Sequence, residues 1–271
     1  MKTIKTIRSS VAMMVMLFAV TATSCQKESI NPAQPELVNR KPKSIITTND
    51  QGVTVGREDF IYRNDTLVAY LNDKTLRDSI LVLPNSSSKA LEAYSMFSSR
   101  VFKCELFLGA DKQIAQSSES AFSTRLRDVI TNNSMIKSIV DEDSRGFSLT
   151  DVVYDGNNIS SFIYKGDTVR ITYYDTLSYQ KGINALPIGF FGIEHFRLLE
   201  LNDRTNTKLY SKLIKSVTRK SAATRNHIDS NSYSYVMDAH NRVISVTDIS
   251  TWGTIGFPLN VSKRIKTIHY E

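Results

Sequence analysis

The chain holds two cysteines, one tryptophan and four histidines in 271 residues, and each scarcity removes a class of function. Cys25 and Cys104 are too few for a disulfide framework. His195, His227, His240 and His269 are scattered without ligand spacing, so no metal is expected. Glu194-His195, the nearest local approach to a metal pair, lacks a second histidine one helical turn away. There is no Gly-x-Ser-x-Gly turn to expose a nucleophilic serine, no catalytic residue is assigned and no cofactor is implied. The longest clean apolar run, Val11 to Val20, is about half the ~20 residues that a spanning helix needs. Lys and Arg exceed Asp and Glu by a formal +7, but they do not cluster, so no nucleic-acid partner is expected.

What is present begins at the N-terminus. Lys2, Lys5 and Arg8 precede the Val11–Val20 run, and small residues close it, which is the three-part pattern of an export signal over 1–24. Its removal would take away three of the basic charges and leave +4. The closing Ala22-Thr23-Ser24-Cys25 resembles the lipobox of bacterial lipoproteins, with Ala22 standing where that motif prefers Leu. The resemblance implies lipidation at Cys25 and a membrane partner held through that lipid. More than one acyl chain on Cys25 would give stable anchoring. Residues 25–42, with three prolines and no periodicity, read as a flexible tether.

From Lys43 onward apolar and polar residues alternate with a period of two, the signature of half-buried strands. The clearest unit is Ser232–Asp248, where two alternating runs flank Asp238-Ala239-His240-Asn241 and place Tyr233 and Tyr235 on one face. Similar hairpins start at Phe60, Val152 and Phe162. The expected fold is mainly β, an antiparallel meander or twisted open sheet of repeated hairpins with one to three short helices. Helices are expected from Ser86 or Ser87 to Phe97, from Asp111 toward Ile130, and over Ile193–Leu201, with a pair of strands and a surface loop as the alternative for the first two. The ectodomain is placed at 43–271, as one body or as halves 43–135 and 136–271. Cys104 in VFKCELFLG reads as a small buried residue of a strand.

Three unit starts are alike: Lys43-Ser44-Ile45, Lys137-Ser138-Ile139 and Lys215-Ser216-Val217. Tyr62 to Asp65 and Tyr235 to Asp238 share a Tyr-x-x-Asp turn, Tyr154-Asp155-Gly156 is a third variant, and the chain closes on Ile-Lys-Thr-Ile-His-Tyr. Together with Cys25, these features resemble Bacteroidetes exported lipoproteins of unknown function, built from consecutive antiparallel strands with hairpins similar to the tyrosine-aspartate repeats of secreted shell proteins. The resemblance implies a stack of hairpins and brings no catalytic residues.

Four sites, Thr66, Ser79, Thr168 and Thr176, follow an aspartate and precede an aliphatic residue. That pattern resembles O-glycosylation sequons of the same bacteria; Thr before an aliphatic is equally what a strand contains after an Asp turn. Asp141-Glu142-Asp143 lacks the remainder of a calcium loop and reads as a solvated turn. Tyr174 and Trp252 are candidate aromatic platforms for a glycan or protein partner. The function expected is a lipid-anchored envelope module on the periplasmic or cell-surface face of the outer membrane. It is a non-enzymatic binding or scaffolding module, with a glycan or an outer-membrane protein as the candidate partner; the alternative is an envelope hydrolase acting on polysaccharide or peptide.

Overall fold

The computed structural model describes residues 41–271 apart from 75, 84–88, 98–99, 121–123, 142–148, 184–195, 202–203, 208, 223 and 225. Cys25, the export signal and the tether lie outside the described residues. Sixteen strands run in chain order: β1 (Pro42–Asn49), β2 (Thr54–Arg63), β3 (Thr66–Lys74), β4 (Leu76–Val82), β5 (Lys89–Phe97), β6 (Arg100–Leu108), β7 (Ile114–Ser120) and β8 (Thr124–Asn132). They continue as β9 (Met135–Asp141), β10 (Leu149–Asp155), β11 (Asn158–Tyr164), β12 (Asp167–Ser178), β13 (Lys212–Lys220), β14 (His227–Met237), β15 (Val243–Thr254) and β16 (Asn260–Tyr270). Among the described residues one helix, α1 (Phe196–Leu201), lies between β12 and β13.

Each strand pairs antiparallel with its sequence neighbours, and β1 pairs with β16, so the sheet closes into a barrel. The expected open sheet is therefore corrected. The hairpin pattern that predicts a meander is the pattern of an up-and-down barrel, and only the non-local pairing of Ile45 with Ile268 closes it. Closure also satisfies the backbone groups that an open edge would leave unpaired.

The helices expected over 86–97 and 111–130 are corrected to β5, β7 and β8. Leu91 is buried and Glu92 beside it is more accessible, as on a strand, and ladder bonds on both sides hold β5 in place. Sparse apolar positions there fit either period, and pairing decides. The short helix expected at 193–201 is present as α1. Cys104 is buried in β6.

Tight turns follow the local sequence. Asn64-Asp65, Asn133-Ser134 and Lys165-Gly166 all have positive φ at both positions. This is the two-residue hairpin geometry whose twist matches the flanking strands. Beside these turns a second device recurs. The hydroxyls of Tyr62, Tyr154, Tyr173, Tyr235 and Tyr270 donate to the carbonyls of Pro42, Ile136, Ile159, Ile214 and Val243, at 2.7–3.1 Å. In each case a tyrosine of an even-numbered strand, mid-strand for Tyr173 and near the strand end for the others, grips one of the first residues of the strand before it. Burial pushes the Tyr154 and Tyr270 phenols up to about 12, so all five remain donors at neutral pH.

The repeats in the sequence gain a physical reason here. The residue before each Lys-Ser-Ile or Lys-Ser-Val start, Pro42, Ile136 or Ile214, supplies the gripped carbonyl. The Asp of the Tyr235-to-Asp238 motif caps the following turn by accepting from the amides of His240 and Arg242. Tyr173→Phe should remove one latch and leave the Ile159 carbonyl without its donor, at a cost of about 1–2 kcal/mol. Equilibrium urea unfolding reads this; an unchanged midpoint would make the latch decorative.

A barrel of sixteen strands is wide enough for an aqueous channel, yet much of this interior is filled with apolar side chains, which on β10–β12 reach the far turns through Leu149, Tyr164 and Val169. Buried apolar residues from β1 round to β16, among them Ile45, Phe60, Leu106, Phe162, Val169 and Ile268, form one cluster with Leu198 and Leu199 of α1. The described parts of the β12–β13 connection, 179–183, 196–201, 204–207 and 209–211, bond to one end of the barrel. The Arg204 guanidinium donates to the carbonyls of Leu83 and Ala90, and the amide of Asn206 donates to Lys112. The amide of Ile114 donates to Thr207, and Asn158 accepts from the amides of Ser211 and Lys212. The Gln180 side chain bonds Asn241 and Val243. These partners sit on the β4–β5, β6–β7, β10–β11 and β14–β15 turns, which alternation of the strands puts at one end. Lys41 and Glu271 meet at that same end, where the amide of Glu271 donates to the Lys41 carbonyl. The chain thus enters the barrel beside the plug, and the opposite mouth carries no crossing segment among the described residues.

Candidate functional site: the polar mouth

The long strands β14, β15 and β16 pair without a register shift over 227–236 and 245–252. Side chains therefore alternate strictly between the two faces. Val246 is buried in the core and Tyr235 packs against it, so their face looks inward. Followed toward the unplugged mouth, that face turns polar. Tyr233 pairs with Asp248 and Asp248 with Arg264; Asn231 pairs with Ser250 and Ser250 with Ser262; Asp229 pairs with Trp252 and Trp252 with Asn260. The outer face of β14 carries Ser230, Ser232 and Ser234, and that of β12 and β13 carries Arg170, Thr172 and Thr218.

The inward wall is organised by its own hydrogen bonds. The Asn231 amide donates to Asp248 at 3.1 Å and to Ser250 at 2.6 Å. Arg219, paired with Asp229 on β13, makes a two-pronged contact with Asp167 through Nε at 2.7 Å and a terminal nitrogen at 2.6 Å. Asp167 is held below the usual carboxylate range because this guanidinium and the Ala222 amide outweigh its desolvation. The Tyr233 hydroxyl is buried without a hydrogen-bond partner among the described residues. Burial, followed by the nearby Asp248 charge, raises its pKa far above the ordinary phenol value. Trp252 stands at the rim, 40% exposed.

The exterior is charged at mid-strand. Arg57 pairs with Asp59 on β2, and Lys89, Glu92, Lys103 and Glu105 form a network across β5 and β6. Glu92 and Glu105 share the face of Leu81, which is 47% exposed and pairs with Glu92. A lipid-facing barrel wall would instead show an apolar band ~25 Å tall.

No family model matches this chain, and no curated protein does. A solved structure does match: a porin-like protein from Bacteroides uniformis, at a TM-score of 0.61 and 11% identity, with 85% of this chain and 96% of that chain covered. The chain shares its fold with a porin-like protein. At this identity the likeness concerns the fold alone. The barrel here carries buried apolar residues inward, and its outer face mixes charged groups such as Arg57, Asp59 and Lys103 with exposed apolar residues such as Ile61, Leu71, Ile130 and Val236.

The candidate aromatic residues fall in different settings. Trp252 lines the polar mouth. Tyr174 is half-buried, its hydroxyl donating to the Tyr233 carbonyl at 2.7 Å and its ring edge-on to Tyr235. Among the glycosylation candidates, Thr66 and Thr176 are exposed and Thr168 is half-buried; the Ser79 side chain lies outside the described residues. Asp141 ends β9, and Glu142 and Asp143 lie outside the described residues. No group of three metal-ligating side chains occurs among the described residues. Asp229, Asn231, Asp248 and Ser250 escape a reading by motif. Their signal is HIDSNSYSYVM itself, in which one face is serine and the other changes from Asp and Asn to Tyr.

Proposed function

We propose that this protein is a non-enzymatic binding module of the bacterial envelope, anchored through a lipid on Cys25, whose barrel does not span the bilayer and does not conduct. One observation carries the reading: the interior is apolar and plugged at one end while the outer wall bears Arg, Lys, Asp and Glu at mid-strand. A charge on a lipid-facing wall costs about 2–4 kcal/mol for Arg or Lys at the midplane, and this wall carries several. The lipid, not the barrel, then supplies membrane attachment. Thr66 and Thr176, exposed beside turns, are the proposed carriers of O-glycans.

Cys25→Ser should move the protein from the membrane pellet to the soluble fraction, without detergent. Intact mass of the native protein should exceed the peptide from Cys25 onward by its acyl chains, plus sugar increments removed by Thr66→Val and Thr176→Val. Liposomes carrying the wild-type protein should not swell in isosmotic sugar. Retention of Cys25→Ser in the pellet, or rapid swelling, would overturn the reading.

A further inference from the structure

We infer that the polar inward wall of β13–β16 at the unplugged mouth is a binding site for a neutral oligosaccharide, with Trp252 as its stacking platform at the rim. The inference rests on the binding-module reading and assigns it a ligand class.

Four features of the wall select that class. First, the chain's single tryptophan sits at an exposed rim rather than in the core, and an amphipathic indole face stacks on the C–H face of a sugar ring. Second, the rows below it alternate hydrogen-bond acceptors and donors. Asn231 is already oriented by Asp248 and Ser250, so the polar groups are preorganised on paired strands rather than on loops. From Trp252 to Asp248 the wall runs four residues, about 14 Å at strand rise, the reach of a di- or trisaccharide. Third, the wall's charges balance, Asp167, Asp229 and Asp248 against Arg219, Arg264 and Lys266, and Arg219 is already committed to Asp167. A polyanion or polycation would meet as much repulsion as attraction, whereas a neutral polyol uses both signs as hydrogen-bond partners. Fourth, a closed barrel has no free sheet edge to capture an extended peptide, and the apolar part that would suit a lipid is filled by the plug.

The single tryptophan makes the site its own reporter. The full-length lipoprotein in detergent is titrated with maltohexaose, cellohexaose, xylohexaose and chitohexaose, with heparin as the polyanion control. The expected result is a saturable blue shift of tryptophan emission and at least a twofold drop in acrylamide quenching with one or more of the neutral oligomers. Asn231→Ala and Asp248→Asn should each weaken that binding about tenfold at unchanged melting temperature. Trp252→Phe should weaken it by calorimetry. No response to any neutral hexasaccharide, a response to heparin alone, or binding indifferent to Asn231→Ala and Trp252→Phe would overturn the assignment. Fractionation of Cys25→Ser and liposome swelling are independent of the titration. A silent titration with both of those as expected removes the ligand and leaves the anchored, non-conducting barrel standing.

Discussion

Leu198→Asp will destabilise the barrel by about 4–5 kcal/mol, whereas Leu81→Lys will leave its stability within about 0.5 kcal/mol of wild type. Leu198 is completely buried, on α1, in a cluster that draws side chains from strands all round the barrel. A carboxylate there is either charged without a partner or protonated at the cost of its desolvation, and it forfeits the packing of the leucine as well. The expected loss is about 4–5 kcal/mol, a large share of the 5–15 kcal/mol a domain has. Leu198→Met, similar in volume, should cost less than about 1.5 kcal/mol, which separates charge from shape. Leu81 lies on the other face, half in water, with Glu92 as its cross-strand neighbour and Ala69 on the other side. Lysine at that position meets a carboxylate and solvent. In a bilayer-facing wall the lysine would carry a penalty as well, because it would then face lipid. Urea unfolding of both variants, lacking the lipid, thus tests the fold's polarity directly.

The polarity of the barrel is readable in the sequence once the pairing is known, and only then. Alternation over Phe60–Tyr62, Val169–Tyr173 and Tyr233–Val236 marks strands, because each local run contrasts two faces. Which face is inside follows from closure, and closure rests on contacts more than two hundred residues apart, such as Ile45 with Ile268. No local pattern encodes that distance. The Tyr and Lys-Ser starts are visible as repeats at irregular spacing, since hairpin lengths vary and the 179–211 connection separates β12 from β13. The bond that unites them, phenol to the carbonyl before the lysine, is a through-space relation between two motifs that the sequence displays separately. Strands β5, β7 and β8 are illegible for a different reason. In IAQSSES serines occupy both faces, so neither a helical nor a strand period dominates, and the neighbouring ladders impose the conformation. The mouth residues are hidden because Asp, Asn and Ser after a turn ordinarily mean solvent. Only the inward register of Asp248 beneath Trp252 gives them a shared cavity.

The plug should loosen as pH rises through neutrality, and Glu200→Gln should abolish that dependence. Glu200 sits on α1, where burial pushes its carboxyl up to about 7, against the partial relief given by the Tyr179 hydroxyl and by Lys181. Burial also drives Tyr179 well above the ordinary phenol value, so the pair holds Tyr179 as donor to Glu200 throughout the range. In the unfolded chain the carboxyl titrates near 4.5. Between 4.5 and about 7 the folded state therefore binds more protons than the unfolded one, and stability falls with rising pH. The contribution is complete below the unfolded value and is lost as pH passes the folded one. A shift of this size corresponds to at most about 3 kcal/mol. Glutamine keeps an oxygen to accept from Tyr179 but cannot ionise. The variant should therefore match wild type near pH 5 and exceed it by about 2–3 kcal/mol at pH 8, a difference read from urea midpoints at the two pH values. Wild-type and variant midpoints that move in parallel between pH 5 and 8 would sink the assignment. Because Glu200 shares its helix with Leu198 and Leu199, and the crossing segment also ties down four turns of the barrel end, the protonation state of one carboxyl sets how firmly that end is closed.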